Sequence, residues 1–155
     1  MPSKFIARLL HDRGLRNRKL LILDRWVDTA RFSPQHRSLG FWEQFGLRDA
    51  GDKKLFLYVG RVGLEKSLDV MAAAFERLAA ARDDVHLVVV GDGPYRAELE
   101  HRLEGAPCTF TGFLEGDDLL IAFASADVKL FPSTTDTWGN APLEAQASGL
   151  PVVVS

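Results

Sequence analysis

The sequence contains a single cysteine, Cys108, which excludes an internal disulfide. One thiol without partners at ligand spacing also excludes a Cys–His metal cluster. Both features favour a reducing compartment, so we predict a cytoplasmic protein. The sequence leaves peripheral contact with the inner face of the membrane open.

Long apolar runs are also missing. No stretch reaches the roughly 18 apolar residues of a membrane span, and the amphipathic start does not resemble a signal-peptide core. With 155 residues, 46% hydrophobic and 26% charged, the composition excludes disorder and fibrous repeats. We predict one domain, 1–155, in which about 1–50 form a lead-in and about 51–155 a βαβ array.

Two phosphate-binding signatures are absent. The sequence has neither the Gly-x-Gly-x-x-Gly of dinucleotide sites nor the Gly-x-x-x-x-Gly-Lys of a P-loop.

Negative charge is scarce at the start of the chain. Residues 1–37 hold nine Lys and Arg against three Asp and Glu, whereas the other residues hold ten against eighteen. The basic side chains alternate with apolar residues at helical spacing and lack interleaved aromatics, so a solvated face is favoured over a nucleic-acid site. They are Arg8, Arg13, Arg16, Arg18, Lys19, Arg25 and Arg31.

Short apolar runs that alternate with longer segments of helical period dominate the chain after residue 54. Strands are predicted at 55–59, 86–90, 108–111, 128–131 and 152–154, and helices at 67–82, 94–103, 117–124 and 141–148. This alternation predicts an α/β fold with a Rossmann-like, doubly wound parallel sheet. Lys129 is the misfit within its strand and indicates either a sheet edge or a polar pocket.

The lead-in carries three further predicted elements: a helix at 4–11, capped by Ser3 and stopped near Gly14, a strand at 19–23 and a short helix at 41–45. The last strand has no helix after it, so we expect a chain that is truncated at its end.

Loops at the carboxyl ends of parallel strands are where such sheets bind ligands. The loop at 60–66 carries Arg61 and Lys66, a suitable pair for two phosphates, although an ion pair with Glu65 is the simpler alternative. At 91–94, we favour Asp92 as a helix cap over a contact with a ligand hydroxyl.

The loop after the fourth strand carries two carboxylates, Asp136 and Glu144. Asn140 can cap the following helix and Pro142 fits its first turn, where free N–H groups would meet a phosphate. Carboxylates can hold the vicinal hydroxyls of a sugar, but stabilisation of the helix N-terminus explains either acid alone.

Together, five runs in order carry a resemblance to a known family. The chain resembles the nucleotide-sugar-binding C-terminal domain of retaining GT-B glycosyltransferases of the glycosyl transferase group 1, or family 4, type. The runs are 25–34, 58–66, 90–94, 110–114 and 132–153.

The resemblance implies a donor site and assigns a role to each matching residue. Arg61 and Lys66, after Gly60, hold the donor diphosphate, Glu144 binds the ribose hydroxyls and Asp136 faces the donor sugar. The catalytic residues are then Asp136, Arg61 and Lys66. The other implied donor contacts are Trp138, Gly139, Asn140 and Ala141, against sugar and phosphate, and Phe113, Leu114 and Glu115, against the base.

The implied reaction is hexosyl transfer from a nucleotide sugar, such as a UDP-sugar or GDP-mannose, in glycoconjugate or polysaccharide biosynthesis. The cations stabilise the departing diphosphate, so we expect no metal and no other cofactor; Asp-x-Asp, the metal-bridging arrangement of the other glycosyltransferase fold, is also absent. Two residues depart from the family pattern, Asp136 for glutamate and Trp26 for glycine.

Family members also have an N-terminal acceptor domain and further C-terminal elements. We therefore expect this chain alone to hold nucleotide but to transfer sugar poorly. Two alternatives remain open: a non-catalytic nucleotide-binding or interaction module, and a sugar-nucleotide epimerase-like or phosphorylase domain of the same architecture.

Overall fold

A parallel β-sheet forms the centre of the molecule. The computed structural model describes residues 4–15, 26–133 and 140–154. In these ranges five strands lie in the order β3-β2-β1-β4-β5, and every pair is parallel. The strands are β1 (Lys54–Val59), β2 (Val85–Val90), β3 (Cys108–Gly112), β4 (Val128–Phe131) and β5 (Val152–Val154).

Helices connect the strands, as parallel crossovers require. They are α2 (Leu68–Ala81), α3 (Arg96–Arg102), α4 (Gly116–Ala124) and α5 (Asn140–Ala147), whereas α1 (Lys4–Asp12) precedes β1 in the lead-in. Gly149, at φ 78°, ends α5: its N–H donates to Gln146 at 3.0 Å and that of Leu150 to Ala145 at 2.8 Å. The predicted α/β fold and the predicted stop at Gly149 are both confirmed.

Two apolar layers cover the faces of the sheet. Alternate residues of β2 point to opposite sides, so Leu87 and Val89 join one layer while Val88 and Val90 join the other. The first layer includes Met71 and Phe75 of α2 and Leu99 of α3. The second includes Leu120 and Phe123 of α4, Ala145 of α5 and residues of the lead-in.

The lead-in attaches to the sheet through a 3-10 helix, Leu39–Phe45. Trp42 in this helix is fully buried, and its indole N–H donates to the Ser125 carbonyl at 3.1 Å. Arg37 donates to the carbonyls of Ala124 at 3.1 Å and Ala126 at 3.0 Å. These bonds satisfy carbonyls at the end of α4 and hold the lead-in against the core.

Several predicted features differ in the structure. The sheet-edge alternative for Lys129 is wrong, because β4 lies between β1 and β5 and Lys129 is fully buried. Helix α3 begins at Arg96 and not at 94, because Pro94 and Tyr95 form a turn. Ser3 and the predicted strand at 19–23 lie outside the described residues. No helix among the described segments is long and apolar enough to cross a membrane.

Candidate functional site

The candidate site lies at the carboxyl edge of the sheet. Starting from β1, the chain moves outward through β2 to β3 and then returns to place β4 on the other side of β1. A sheet with this order opens a crevice between the loops that follow β1 and β4, where ligands bind in this class of fold. The loop with Arg61 flanks that crevice on the β1 side, and α5 follows β4 on the other side.

Glycines allow the loops after β1 and β2 to pack backbone against backbone. A Cβ added to Gly91, whose φ is 128°, would lie 2.0 Å from the Gly60 carbonyl oxygen. The same addition to Gly93 would meet the Val62 oxygen at 2.3 Å. The Val62 N–H donates to the Asp92 backbone carbonyl at 2.9 Å. The loops after β1 and β2 therefore form one rigid support.

Arg61 lies on this support with 66% of its side chain exposed. Its Nε is 3.9 Å from a Glu65 carboxylate oxygen, so the ion pair expected as the simpler alternative is present. An exposed pair of this kind contributes little stability, and an anionic ligand can compete for the guanidinium. Lys66 ends the 3-10 helix Leu64–Lys66 just before α2.

Asp92 does not cap α3, contrary to expectation. Tyr95 precedes the first helical residue, and the Asp92 carboxylate accepts from the Gly93 N–H at 2.7 Å. Its other oxygen is 3.3 Å from Arg96 Nη1. Asp92 therefore stabilises its own turn.

The segment predicted to contact the base follows β3. Phe113 is 71% exposed, Leu114 packs partly against the core, and Glu115 is exposed immediately before α4. The Gly91 N–H donates to the Gly112 carbonyl at 2.7 Å, which ties this strand end to the support described above. The exposed Phe113 ring offers an apolar face that suits a planar ligand.

Glu144 of α5 is half-buried beside a cleft of about 310 Å³. Burial raises the pKa of Glu144, and the nearby charges of Lys129 and Arg31 oppose that rise. The cleft is lined by Trp26, Val27, Asp28, Arg31, Phe32, Asn140 and Glu144.

The side of this cleft opposite α5 comes from the lead-in. The Asp28 carboxylate accepts from the N–H groups of Ala30 at 3.0 Å and Arg31 at 3.1 Å, and this turn supports Arg31. Trp26 is 81% exposed and lines the cleft.

The remaining predicted site residues lie at the first turn of α5 and in the sequence just before it. Asn140 and Ala141 begin α5, so Asn140 is the first helical residue, and Pro142 lies in the first turn as predicted. Asp136, Trp138 and Gly139 lie outside the described residues. Within the described ranges, no three His, Cys, Asp or Glu side chains are grouped as metal ligands would be.

Sequence reasoning missed two contributors to the site. Arg31 was assigned to a solvated basic face; it is exposed, yet it also lines the cleft and acts on Glu144. Lys129 was interpreted as a sign of a sheet edge or a polar pocket and given no role in the site, yet its ammonium group contacts the end of β1. An unexpected cation inside a buried strand was the available signal.

Comparison of the sequence with known families identifies the chain. The model of the family described as glycosyl transferases group 1 matches residues 53–155. The chain belongs to this family. The sequence is 39% identical over 140 residues to a sulfoquinovosyl transferase from Arabidopsis thaliana, covering 88% of this chain and 26% of that protein.

A second relative matches almost the whole chain. A GDP-mannose-dependent alpha-mannosyltransferase from Corynebacterium glutamicum is 34% identical over 152 residues, covering 98% of this chain and 34% of that protein. The chain thus spans about a quarter to a third of the length of these curated relatives.

Solved structures share the fold of this glycosyl transferase group 1 chain. A sucrose-phosphate synthase from Thermosynechococcus elongatus superimposes with a TM-score of 0.76 at 21% identity, covering 99% of this chain and 39% of that one. The structure of Anabaena HepE in complex with UDP and glucose superimposes with a TM-score of 0.69 at 20% identity, covering 86% of this chain and 37% of that one. The predicted GT-B class of Rossmann-like domain is therefore confirmed.

Proposed function

We propose that this chain supplies the nucleotide-sugar donor site of a retaining glycosyltransferase. The observation that carries the proposal is the placement of three segments at the carboxyl edge of the sheet in a glycosyl transferase group 1 chain. They are the Arg61 loop after β1, the segment at 113–115 after β3, and α5 after β4, which carries Glu144 in its second turn.

The chemistry of these side chains suits donor activation. Glycosyl transfer breaks the bond between the anomeric carbon and the phosphate oxygen, so negative charge grows on the departing nucleoside diphosphate. The exposed Arg61 guanidinium and the Lys66 ammonium would stabilise that charge as preorganised cations. The Glu144 carboxylate would accept hydrogen bonds from the ribose hydroxyls, and Asp136 would face the donor sugar.

The nucleotide sugars of related proteins and similar structures indicate the class of donor. One relative is GDP-mannose-dependent, and a structural neighbour was solved with UDP-glucose. We therefore propose a UDP- or GDP-linked hexose as donor, with transfer onto a sugar or lipid-linked acceptor held by a further domain. A cytoplasmic location, with or without peripheral membrane contact, stays a prediction.

The proposal separates the roles of the two carboxylates. Glu144→Ala should weaken binding of UDP and UDP-glucose, or of GDP and GDP-mannose, at least about tenfold, because it removes the charged acceptor for the ribose. Asp136→Ala should spare the nucleotide and weaken only the nucleotide sugar. Glu98→Ala, an exposed carboxylate of α3, is the matched control. Calorimetric titration of each variant with both ligands tests the assignment, and equal effects of the two substitutions on both ligands would contradict it.

Metal independence is part of the same proposal. Nucleotide affinity should be unchanged when EDTA replaces added Mg²⁺, because protein cations carry the diphosphate. A purely electrostatic anion module would instead show no preference for base or sugar and would weaken steeply with salt. Loss of binding in EDTA would contradict the metal-free site.

A further inference from the structure

Lys129 is a lysine whose side chain is fully buried in β4, inside the sheet. Burying an ammonium group among apolar neighbours costs free energy unless hydrogen bonds and charges compensate it. The groups that form hydrogen bonds or charge contacts with the Lys129 ammonium therefore indicate which part of the fold it stabilises.

The Lys129 ammonium contacts the end of β1. Nζ donates to the Val59 carbonyl at 3.3 Å and to the Leu130 carbonyl at 3.1 Å, and it lies 4.9 Å from the centroid of the Tyr58 ring. Tyr58 in turn donates its hydroxyl hydrogen to the Arg61 carbonyl at 2.8 Å. Val59 is the last residue before Gly60 and Arg61, so Lys129 holds the strand end from which the proposed diphosphate loop emerges.

Two titratable groups face Lys129 among the described residues, Tyr58 from β1 and Glu144 from α5. Burial lowers the pKa of Lys129 to about 7, and the charge of Glu144 opposes that lowering. At neutral pH the ammonium and the neutral amine are both populated. Only the ammonium form carries the full positive charge that attracts the face of the Tyr58 ring and an anion at the neighbouring edge of the sheet.

We propose that Lys129 is a positioning residue of the donor site: its ammonium form holds the Gly60–Arg61 loop in place, and a bound diphosphate draws a proton onto it. This inference rests on the proposed donor function. If bound nucleotide favours the ammonium, protonation must favour nucleotide binding by the same factor. A rise of one unit in the pKa of Lys129 on binding corresponds to about a tenfold change in affinity across its titration.

The first experiment measures proton linkage. UDP and GDP are titrated into the chain by calorimetry at pH 6.5, pH 7.5 and pH 8.5, in buffers of different ionisation enthalpy and equal ionic strength. The wild type should take up about half a proton per nucleotide at pH 7.5 and should bind about sixfold more weakly at pH 8.5 than at pH 6.5.

Lys129→Met should lose the proton uptake. Its affinity for the nucleotide should change less than about twofold between pH 6.5 and pH 8.5, once ionisation of the nucleotide's own phosphate is accounted for. Lys54→Met is the matched control, since Lys54 is exposed at the opposite end of β1. It should behave as the wild type. Equal proton uptake by the wild type and Lys129→Met would overturn the proposal.

The second experiment needs no nucleotide. The amide resonances of Gly60 and Arg61 are followed between pH 6 and pH 8.5. Their shifts should titrate with a midpoint near 7 in the wild type and in Lys54→Met, and should stay flat in Lys129→Met. A Lys129 whose charge state does not act on the Gly60–Arg61 loop would leave these resonances independent of pH.

The two experiments separate the possible failures. Flat loop resonances in the wild type would overturn the positioning role even if nucleotide binds. Absence of binding by a folded wild type whose loop resonances titrate would contradict the proposed donor function and support the contact between Lys129 and the loop. If Lys129→Met does not fold, Lys129→Gln replaces it, and the wild-type titration alone still decides the positioning role.

Discussion

Replacement of Lys129 by methionine should stabilise the protein at neutral and acidic pH. Methionine has a similar length and no charge, so it fills the same volume without the cost of a buried cation. The folded chain holds the pKa of Lys129 at about 7, whereas the unfolded chain leaves it at 10.5. Between these values the unfolded state binds more protons, and the stability of the wild type therefore rises with pH.

The size of the effect follows from that pKa difference. At about 1.4 kcal/mol per pH unit, the difference between 10.5 and about 7 makes the wild type about 5 kcal/mol less stable at pH 6 than it would be with a neutral amine. Loss of two hydrogen bonds, to Val59 and Leu130, offsets about 2 kcal/mol of this gain. Lys129→Met should therefore gain about 3 kcal/mol at pH 6, and the gain should vanish near about pH 9.

Urea denaturation followed by circular dichroism between pH 6 and pH 9.5 measures this difference. Lys54→Met, an exposed site on the same strand, provides the control and should shift stability by no more than about 0.5 kcal/mol at any pH. A methionine variant that is less stable than the wild type at pH 6 would refute the reasoning. So would a stability gap that does not change with pH.

Three other substitutions or reactions test separate parts of the structure. Gly91→Ala should cost about 3 kcal/mol or more in urea denaturation, because its Cβ would meet the Gly60 carbonyl at 2.0 Å, whereas Gly51→Ala meets only a side-chain atom at 4.0 Å and should cost little. Ser67→Gly should raise the free energy of unfolding by about 0.5–1 kcal/mol, since Ser67 has a φ of 53°, and Ser38→Gly, at φ −148°, should give no gain. Burial raises the pKa of Cys108 to about 12, so iodoacetamide at pH 8 should label it much more slowly in the folded chain than in urea; equal rates would contradict that environment.

The sheet could be predicted because each strand leaves its mark within a few residues. Strands covered by helices on both faces are continuous apolar runs, and Val88–Val90 of β2 are buried throughout. The end of α5 could also be predicted from neighbouring residues, since the run Gly149, Leu150 and Pro151 is a signal that ends a helix. The start of a helix has a weaker sequence signal, because a proline such as Pro94 suits a turn as well as a first helical position.

Several residues of the candidate site and the local ion pair of Arg61 with Glu65 could be predicted from the sequence, but the long-range contacts could not. The Val59 carbonyl lies 70 positions from the Lys129 ammonium, and only the pairing of β1 with β4 brings them together. Arg31 and Glu144 likewise meet because the lead-in folds back beside α5. Alternative contacts of one side chain also limit prediction at short range. The sequence alone favours Asp92 as a helix cap, but its carboxylate accepts from the Gly93 N–H and pairs with Arg96 instead.

Direct titration of nucleotides tests the central claim. UDP, GDP and ADP are added to the wild type, to Arg61→Ala and to Arg8→Ala, an exposed cation of the lead-in helix that serves as the matched control. The account predicts saturable one-to-one binding of UDP or GDP that weakens about tenfold or more in Arg61→Ala and is unchanged in Arg8→Ala. No binding by the folded wild type, or an equal loss in the two arginine variants, would contradict it.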